Sequence, residues 1–144
     1  MATSALFAFL HHLAAFTLVS AIVVEWLLMR NELTAQNARQ LARADAFLGA
    51  SATAILVIGA LRVMYFEKGP SFYMHNEAFF AKMALFLVVA LLSIYPTIQF
   101  MKWSRAVKAG QPIAPDAGQL ALVRRLLHFE LIGIVLILLC AALM

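Results

Sequence analysis

The sequence predicts an all-α integral membrane protein, a four-helix bundle. The chain has 144 residues, of which 65% are hydrophobic and 12% are charged, whereas a soluble domain is about half apolar and about a quarter charged. The apolar residues fall into four continuous runs, and about 20 such residues are enough for a helix to cross a bilayer. Strands of a membrane barrel would instead alternate in hydrophobicity over about ten residues. The composition therefore excludes an ordinary soluble enzyme.

Four spans in a single transmembrane domain, residues 1–144, account for the whole chain. The first span, about 4–29, is predicted to be retained, because no Lys or Arg precedes it and its run exceeds the roughly 7–15 apolar residues of a signal peptide. The second span covers about 44–66 and follows the linker NELTAQNARQ. The third covers about 77–101 with Asn76 as N-cap, and the fourth covers about 120–143 after a loop rich in Gly and Pro.

The distribution of Lys and Arg predicts the orientation of the bundle. Four spans place both termini and the linker between spans two and three on one side, which has three basic residues, Arg62, Lys68 and Lys82. By the positive-inside rule both termini lie on the outer side. The same rule and anionic lipid headgroups explain the basic charge, so no nucleic-acid partner is expected. The eight basic residues of the opposite, cytoplasmic side are Arg30, Arg39, Arg43, Lys102, Arg105, Lys108, Arg124 and Arg125.

Polar groups inside the spans are the candidate functional residues. A charge at mid-membrane costs about 2.5–3.5 kcal/mol, so such groups usually face a bundle interior, a partner or a cofactor. In span one, His11 and Glu25 share a helical face, and His12 points about 100° away from His11. His11 is therefore predicted to face inward, the alternative being an interfacial histidine bonded to a neighbour.

In span three, a stripe contains Lys82, Phe86, Val89, Ser93 and Pro96, and His75 extends it if the helix begins there.

The outer half of the bundle thus combines histidines and cations, which predicts a site for haem b. Haem iron binds neutral imidazole, its macrocycle packs on apolar walls, and its propionates need Arg, Lys or Tyr near the interface. The alternative for the two cations is snorkelling to the outer interface. The candidate residues are His11 and His75 as axial ligands of the metal, His12 as another possible ligand, and Arg62, Lys82 and Tyr73 for the propionates.

A second polar group lies in the inner half of the spans and contains Glu25, Asp45 and Glu130. A buried carboxyl group either relays protons or ties spans together by pairing with a base. The favoured interpretation is the structural tie, with Arg43 or Arg30 as the base.

Small residues on span two allow close contact with another helix, either inside the bundle or in a homodimer. These residues are Ala42, Ala46, Gly49, Ala50, Thr53, Gly59 and Ala60.

Several strings in the chain resemble an uncharacterised bacterial family of four-span inner-membrane proteins. They are LHHLAAF, VVEWLLMR, an RxDxxxG pattern at Arg43, Asp45 and Gly49, GALRVMYFEKGPSFYMHNEAFFAK and LLSIYPT. More distantly, the early histidine of span one and the lysine opening span three resemble the superfamily of the protoporphyrinogen-oxidase-type haem-synthesis protein and the copper-resistance D-type protein. That resemblance implies a haem-associated or redox role for His11 and Lys82, or metal transport. The chain lacks the Trp-Phe segment expected after the histidine in the haem-synthesis pattern.

Three functions follow as hypotheses. The leading one is a b-type haem protein of the bacterial inner membrane that exchanges electrons with a quinone or a small oxidant near the outer surface. The alternatives are a permease for copper or another metal and a non-catalytic membrane scaffold or assembly subunit. Nucleotide-binding, zinc-protease and serine-hydrolase motifs are absent from the sequence.

Overall fold

The computed structural model describes residues 1–66 and 68–144, and these residues form helices and no strands. Four of the helices are long and apolar enough to cross a membrane. The all-α prediction with four spans is therefore confirmed. The elements are α1 (Ala2–Met29), α2 (Ala35–Leu61), a π-helix (Arg62–Phe66), α3 (Pro70–Met74), α4 (Glu77–Lys108) and α5 (Ala117–Leu143).

Two helices extend well beyond the predicted spans at the end rich in arginine. Helix α2 begins at Ala35 rather than near residue 44, because the Thr34 hydroxyl accepts a hydrogen bond of 3.1 Å from the Asn37 amide and caps it. Helix α4 ends at Lys108 rather than near residue 101. Most of the predicted linker NELTAQNARQ is therefore helical, because the backbone hydrogen bonds of a helix extend beyond its apolar run.

The four long helices alternate in direction and form a ring in the order α1, α2, α4, α5. Each packs against its two neighbours in the ring, and the backbones of the diagonal pairs lie farther apart. One end of the bundle, named the termini end, carries both chain termini, the π-helix and α3. The other, named the basic end, carries the connections 30–34 and 109–116.

Two apolar clusters hold the bundle together. The basic-end cluster contains residues of all four long helices, and the mid cluster lies closer to the centre of the spans. Large apolar side chains elsewhere are exposed, as expected for helices surrounded by lipid. The basic-end cluster is Met29, Ala38, Leu41, Phe100, Trp103, Val123 and Leu127, and the mid cluster is Leu18, Ala21, Ile22, Leu48 and Ile134.

Gly133 permits the close packing of α5 on α4. A Cβ atom at this position would lie 2.5 Å from Cγ2 of Val89, which is closer than two carbon atoms can approach. The buried face of α5 therefore requires glycine at this point of contact.

Candidate binding cavity

A cavity of about 720 Å³ lies between the four long helices, and each of them contributes to its wall. This volume is within the range of roughly 300–1,000 Å³ that small-molecule and cofactor sites occupy. Gly59 and Asp45 both line the cavity from α2, and their separation along the helix corresponds to about 20 Å. The central cavity is therefore long, apolar over most of its length, and bordered by polar side chains toward both ends.

His11 lies in the cavity wall near the termini end, against the backbone of α2. A Cβ atom at Gly59 would lie 3.5 Å from Cε1 and 3.8 Å from Nδ1 of its ring, so glycine leaves room for the imidazole. His12 is exposed, and its ring meets that of His11 edge-on at 6.2 Å between centroids. The prediction that His11 is the inward histidine is confirmed.

Lys82 lies in the same part of the wall, on α4. Its Nζ atom is 5.5 Å from the ring centroid of Phe79, and it interacts electrostatically with Arg62. Arg62 is half-buried in the π-helix, an element that is frequent at functional sites. The termini end of the cavity thus combines an imidazole, nearby cationic groups and aromatic rings.

The stripe predicted on span three forms much of the cavity wall on that side. Lys82, Phe86, Val89 and Ser93 of this stripe line the cavity, and Pro96 is buried next to them. The helical spacing in the sequence is sufficient to identify this face of α4.

His75 is not brought to His11, although the two were predicted as paired ligands. Asn76 caps α4 by accepting a hydrogen bond of 3.1 Å from the Phe79 amide, so His75 precedes the helix and does not extend its stripe. Instead, His75 is exposed, and its Nδ1 lies 2.8 Å from the carbonyl oxygen of Ser71. Of the four histidines, all of which the structure describes, His11 alone lines the cavity.

Tyr73 lies outside the cavity lining. Its side chain is buried, and its ring centroid is 5.2 Å from those of both Phe72 and Phe79. Since Phe79 belongs to the cavity wall, Tyr73 supports that wall from behind.

A layer of polar side chains lies at the other end of the cavity, between the two apolar clusters. Glu25 of α1, Asp45 of α2, Thr97 of α4 and Glu130 of α5 are named here the carboxyl layer. The Thr97 hydroxyl donates a hydrogen bond of 3.0 Å to Oδ1 of Asp45. Glu25 interacts electrostatically with Asp45 and Glu130. Asp45, Thr97 and Glu130 also line the cavity, so the carboxyl layer borders it directly.

The two glutamates of the carboxyl layer are fully buried, with 0% of each residue exposed. Their carboxylate oxygens receive no hydrogen bond within the described part of the chain. The expected tie of Glu130 to Arg43 or Arg30 is therefore not formed. Arg30 instead lies over the ring of Trp26 at 5.0 Å, and Arg43 lines a separate groove between α1 and α2.

Among the described residues, no group of three or more His, Cys, Asp or Glu side chains is arranged to hold a metal ion. At the termini end, the soft metal-binding atoms in the cavity wall are the imidazole of His11 and the thioethers of Met64 and Met83.

Three of the small residues of span two, Gly49, Gly59 and Ala60, line the cavity. Ala46 and Ala50 are exposed and lie outside its lining. Pairing with a second copy of the chain stays a prediction.

Sequence reasoning missed the role of Thr97. Its signal is present in the string YPT, because Thr97 lies four residues after Ser93 and continues the inward stripe of α4. Thr97 is significant because Asp45 on α2 lies at the same depth in the bundle. That shared depth depends on how far the helices extend beyond their apolar runs.

Comparison with known proteins gives a family and no function. The model of the family described as "Predicted membrane protein (DUF2214)" matches residues 3–144. No curated protein matches the chain. No solved structure matches it either. The match agrees with the predicted membership of an uncharacterised membrane family and gives no support for the more distant superfamily resemblance. The chain is a multi-pass membrane protein that belongs to the DUF2214 family.

Proposed function

We propose that this protein binds haem b in its central cavity and takes part in electron transfer within the bacterial inner membrane. The observation that carries the proposal is the position of His11, whose imidazole lies in the wall of an apolar cavity of about 720 Å³. Neutral imidazole is a common axial ligand of haem iron.

The surroundings of His11 support a flat, anionic guest. Phe79 and Phe86 supply aromatic surface for a macrocycle, and Lys82 and Arg62 lie where carboxylate groups would need cations. Met64 and Met83 would be further residues able to hold the iron through their thioethers, because neither His12 nor His75 lines the cavity.

Bound haem would supply one-electron redox chemistry at this position. His11 would hold the iron, and Lys82 and Arg62 would neutralise the propionates. A quinone or a small oxidant is the proposed redox partner, since the bundle is surrounded by lipid in which a quinone dissolves. The termini end is proposed to face the periplasm, because most of the Lys and Arg residues lie toward the basic end.

The experiment is a comparison of haem content in matched histidine variants purified in detergent. His11→Ala is expected to lose most of the haem, because the variant removes the imidazole from the cavity wall. His75→Ala is the control, since that side chain is exposed and bonded to its own short helix. It is expected to keep the wild-type content.

Equal haem content in wild type and His11→Ala would overturn the proposed ligand. Copper bound without porphyrin would favour the permease. Loss of thermal stability in His11→Ala, with no cofactor bound to the wild type, would favour the scaffold.

A further inference from the structure

We propose that the carboxyl layer is a proton-binding site that is open to the central cavity and closed toward the basic end. The site is separate from the position of His11, and the inference does not rest on the binding of haem.

The first argument is the absence of compensating charge around two buried acids. Glu25 and Glu130 are 0% exposed, and no N–H or hydroxyl group of the described residues donates a hydrogen bond to their four carboxyl oxygens. A charged carboxylate without a donor or a cation beside it is strongly unfavourable in such surroundings. A bound proton removes this charge and gives the group an O–H donor.

The second argument is the charge of the side chains that each long helix contributes to the layer. The groups that face it are Glu25 from α1, Asp45 from α2, Glu130 from α5 and the neutral Thr97 from α4. Two of the nearby bases have other partners: Arg30 lies over the ring of Trp26, and Arg124 donates a hydrogen bond of 2.6 Å from Nε to the carbonyl oxygen of Met29. The layer therefore holds three carboxyl groups and no basic group.

The cation that fits these groups is a proton. No group of three His, Cys, Asp or Glu side chains is placed to hold a metal ion, as far as the described residues extend. Two neighbouring carboxyl groups hydrogen bond to each other only when a proton lies between them. Asp45 accepts the Thr97 hydroxyl, so a protonated Glu25 is suited to be a second donor to the same carboxylate.

The route for protons follows from how the side chains on the two sides of the carboxyl layer are buried. Asp45 and Thr97 line the cavity and are only partly buried, so the cavity reaches the layer from the side of the termini end. Toward the basic end, Phe100, Val123 and Leu127 are 0% exposed, and the cluster that they form contains no ionisable group. Proton exchange is consequently expected through the cavity.

The test uses dicyclohexylcarbodiimide on the full chain in liposomes at pH 7. A carboxylic acid adds across one C=N bond of this apolar reagent, its proton going to nitrogen and its oxygen to carbon. The adduct rearranges to a stable N-acylurea, which peptide mass spectrometry locates. Carboxylates lack the required proton, and in water they outnumber the acid form by about 500 to one at pH 7.

Glu130 is expected to carry at least ~tenfold more label than a water-exposed carboxylate, because it holds a proton and lines the cavity. Glu32 and Glu77 are exposed and are the internal references. Glu130→Gln removes this label while keeping the shape of the side chain, and Glu77→Gln is the matched control that leaves it unchanged. Labelling of Glu130 no stronger than that of the references overturns the proposal.

Infrared spectroscopy gives a second readout that does not depend on access of a reagent. At pH 7 the wild type is expected to show a C=O stretching band of protonated carboxyl groups, which Glu130→Gln diminishes. Absence of this band in the wild type would also overturn the proposal. Neither readout involves haem, so the failure of one proposal is distinguishable from the failure of the other.

Discussion

Glycine positions decide how closely the helices approach one another. At Gly133 a Cβ atom would come within 2.5 Å of Val89, whereas at Gly49 no atom lies within 4 Å of such a Cβ. Gly59 is intermediate, since its added Cβ would be in ordinary contact with the ring of His11 at 3.5 Å. Three glycines of similar appearance in the sequence therefore have different structural roles.

Gly133→Ala is expected to lower the free energy of unfolding by about 1–3 kcal/mol, the usual cost of an overpacked core. The physical reason is the contact between the new methyl group and Val89, which forces α5 away from α4. Chemical unfolding in detergent, followed by circular dichroism, measures the change.

Gly49→Ala is the matched control for this substitution. Its stability is expected to be unchanged or raised by up to about 1 kcal/mol, because alanine favours the helix and the site is open. Equal destabilisation by the two substitutions would show that the effect is not one of close packing.

At the scale of the helices, local signals explain where each element begins. Asn76 is the cap expected from the sequence, and Thr34 is the cap that starts α2 before its apolar run. Before α5, Asp116 accepts a hydrogen bond of 2.7 Å from the Gln119 amide, while the Gln119 side chain accepts one of 3.3 Å from the Asp116 amide. These reciprocal bonds form a capping box.

Asp116→Ala is expected to lower the free energy of unfolding by about 0.5–2 kcal/mol, because it removes this cap. Asp116→Asn keeps an oxygen that can accept the bond and is expected to stay near the wild type. The midpoint of thermal unfolding in detergent compares the two. A wild-type midpoint for Asp116→Ala would mean that the capping box does not stabilise α5.

The limits of the sequence interpretation also arise at the scale of the helices. Hydropathy identified the four spans because burial in lipid selects apolar residues. It could not identify the ends of α2 and α4, where charged residues continue the helix outside the apolar run. The stripe of Lys82 includes His75 only if α4 begins there, and the cap at Asn76 shows that it does not.

The candidate site was likewise predictable from the sequence only in part. Helical periodicity was enough to bring His11 and Lys82 to a common interior, since each lies on a regular face of one long helix. The contact of Asp45 with Thr97 joins residues that are 52 positions apart. It depends on the relative depth of α2 and α4, which no local pattern in the sequence specifies.

For the whole molecule, the distribution of basic residues predicts a defined orientation in the membrane. In a Cys140→Ala background, Ser71→Cys at the termini end is expected to react with a membrane-impermeant maleimide added to spheroplasts. Gln111→Cys, in the connection at the basic end, is expected to react only after the membrane is permeabilised. The reverse pattern would place the termini in the cytoplasm and the carboxyl layer near the opposite surface.

The central claim, that the cavity binds haem b beside His11, is tested most directly by the optical spectrum of the protein purified from cells with sufficient haem. We predict a Soret band in the oxidised protein, sharp α and β bands after reduction with dithionite, and pyridine extraction of b-type haem bound to the chain. A featureless visible spectrum from an intact, helical protein would contradict the claim.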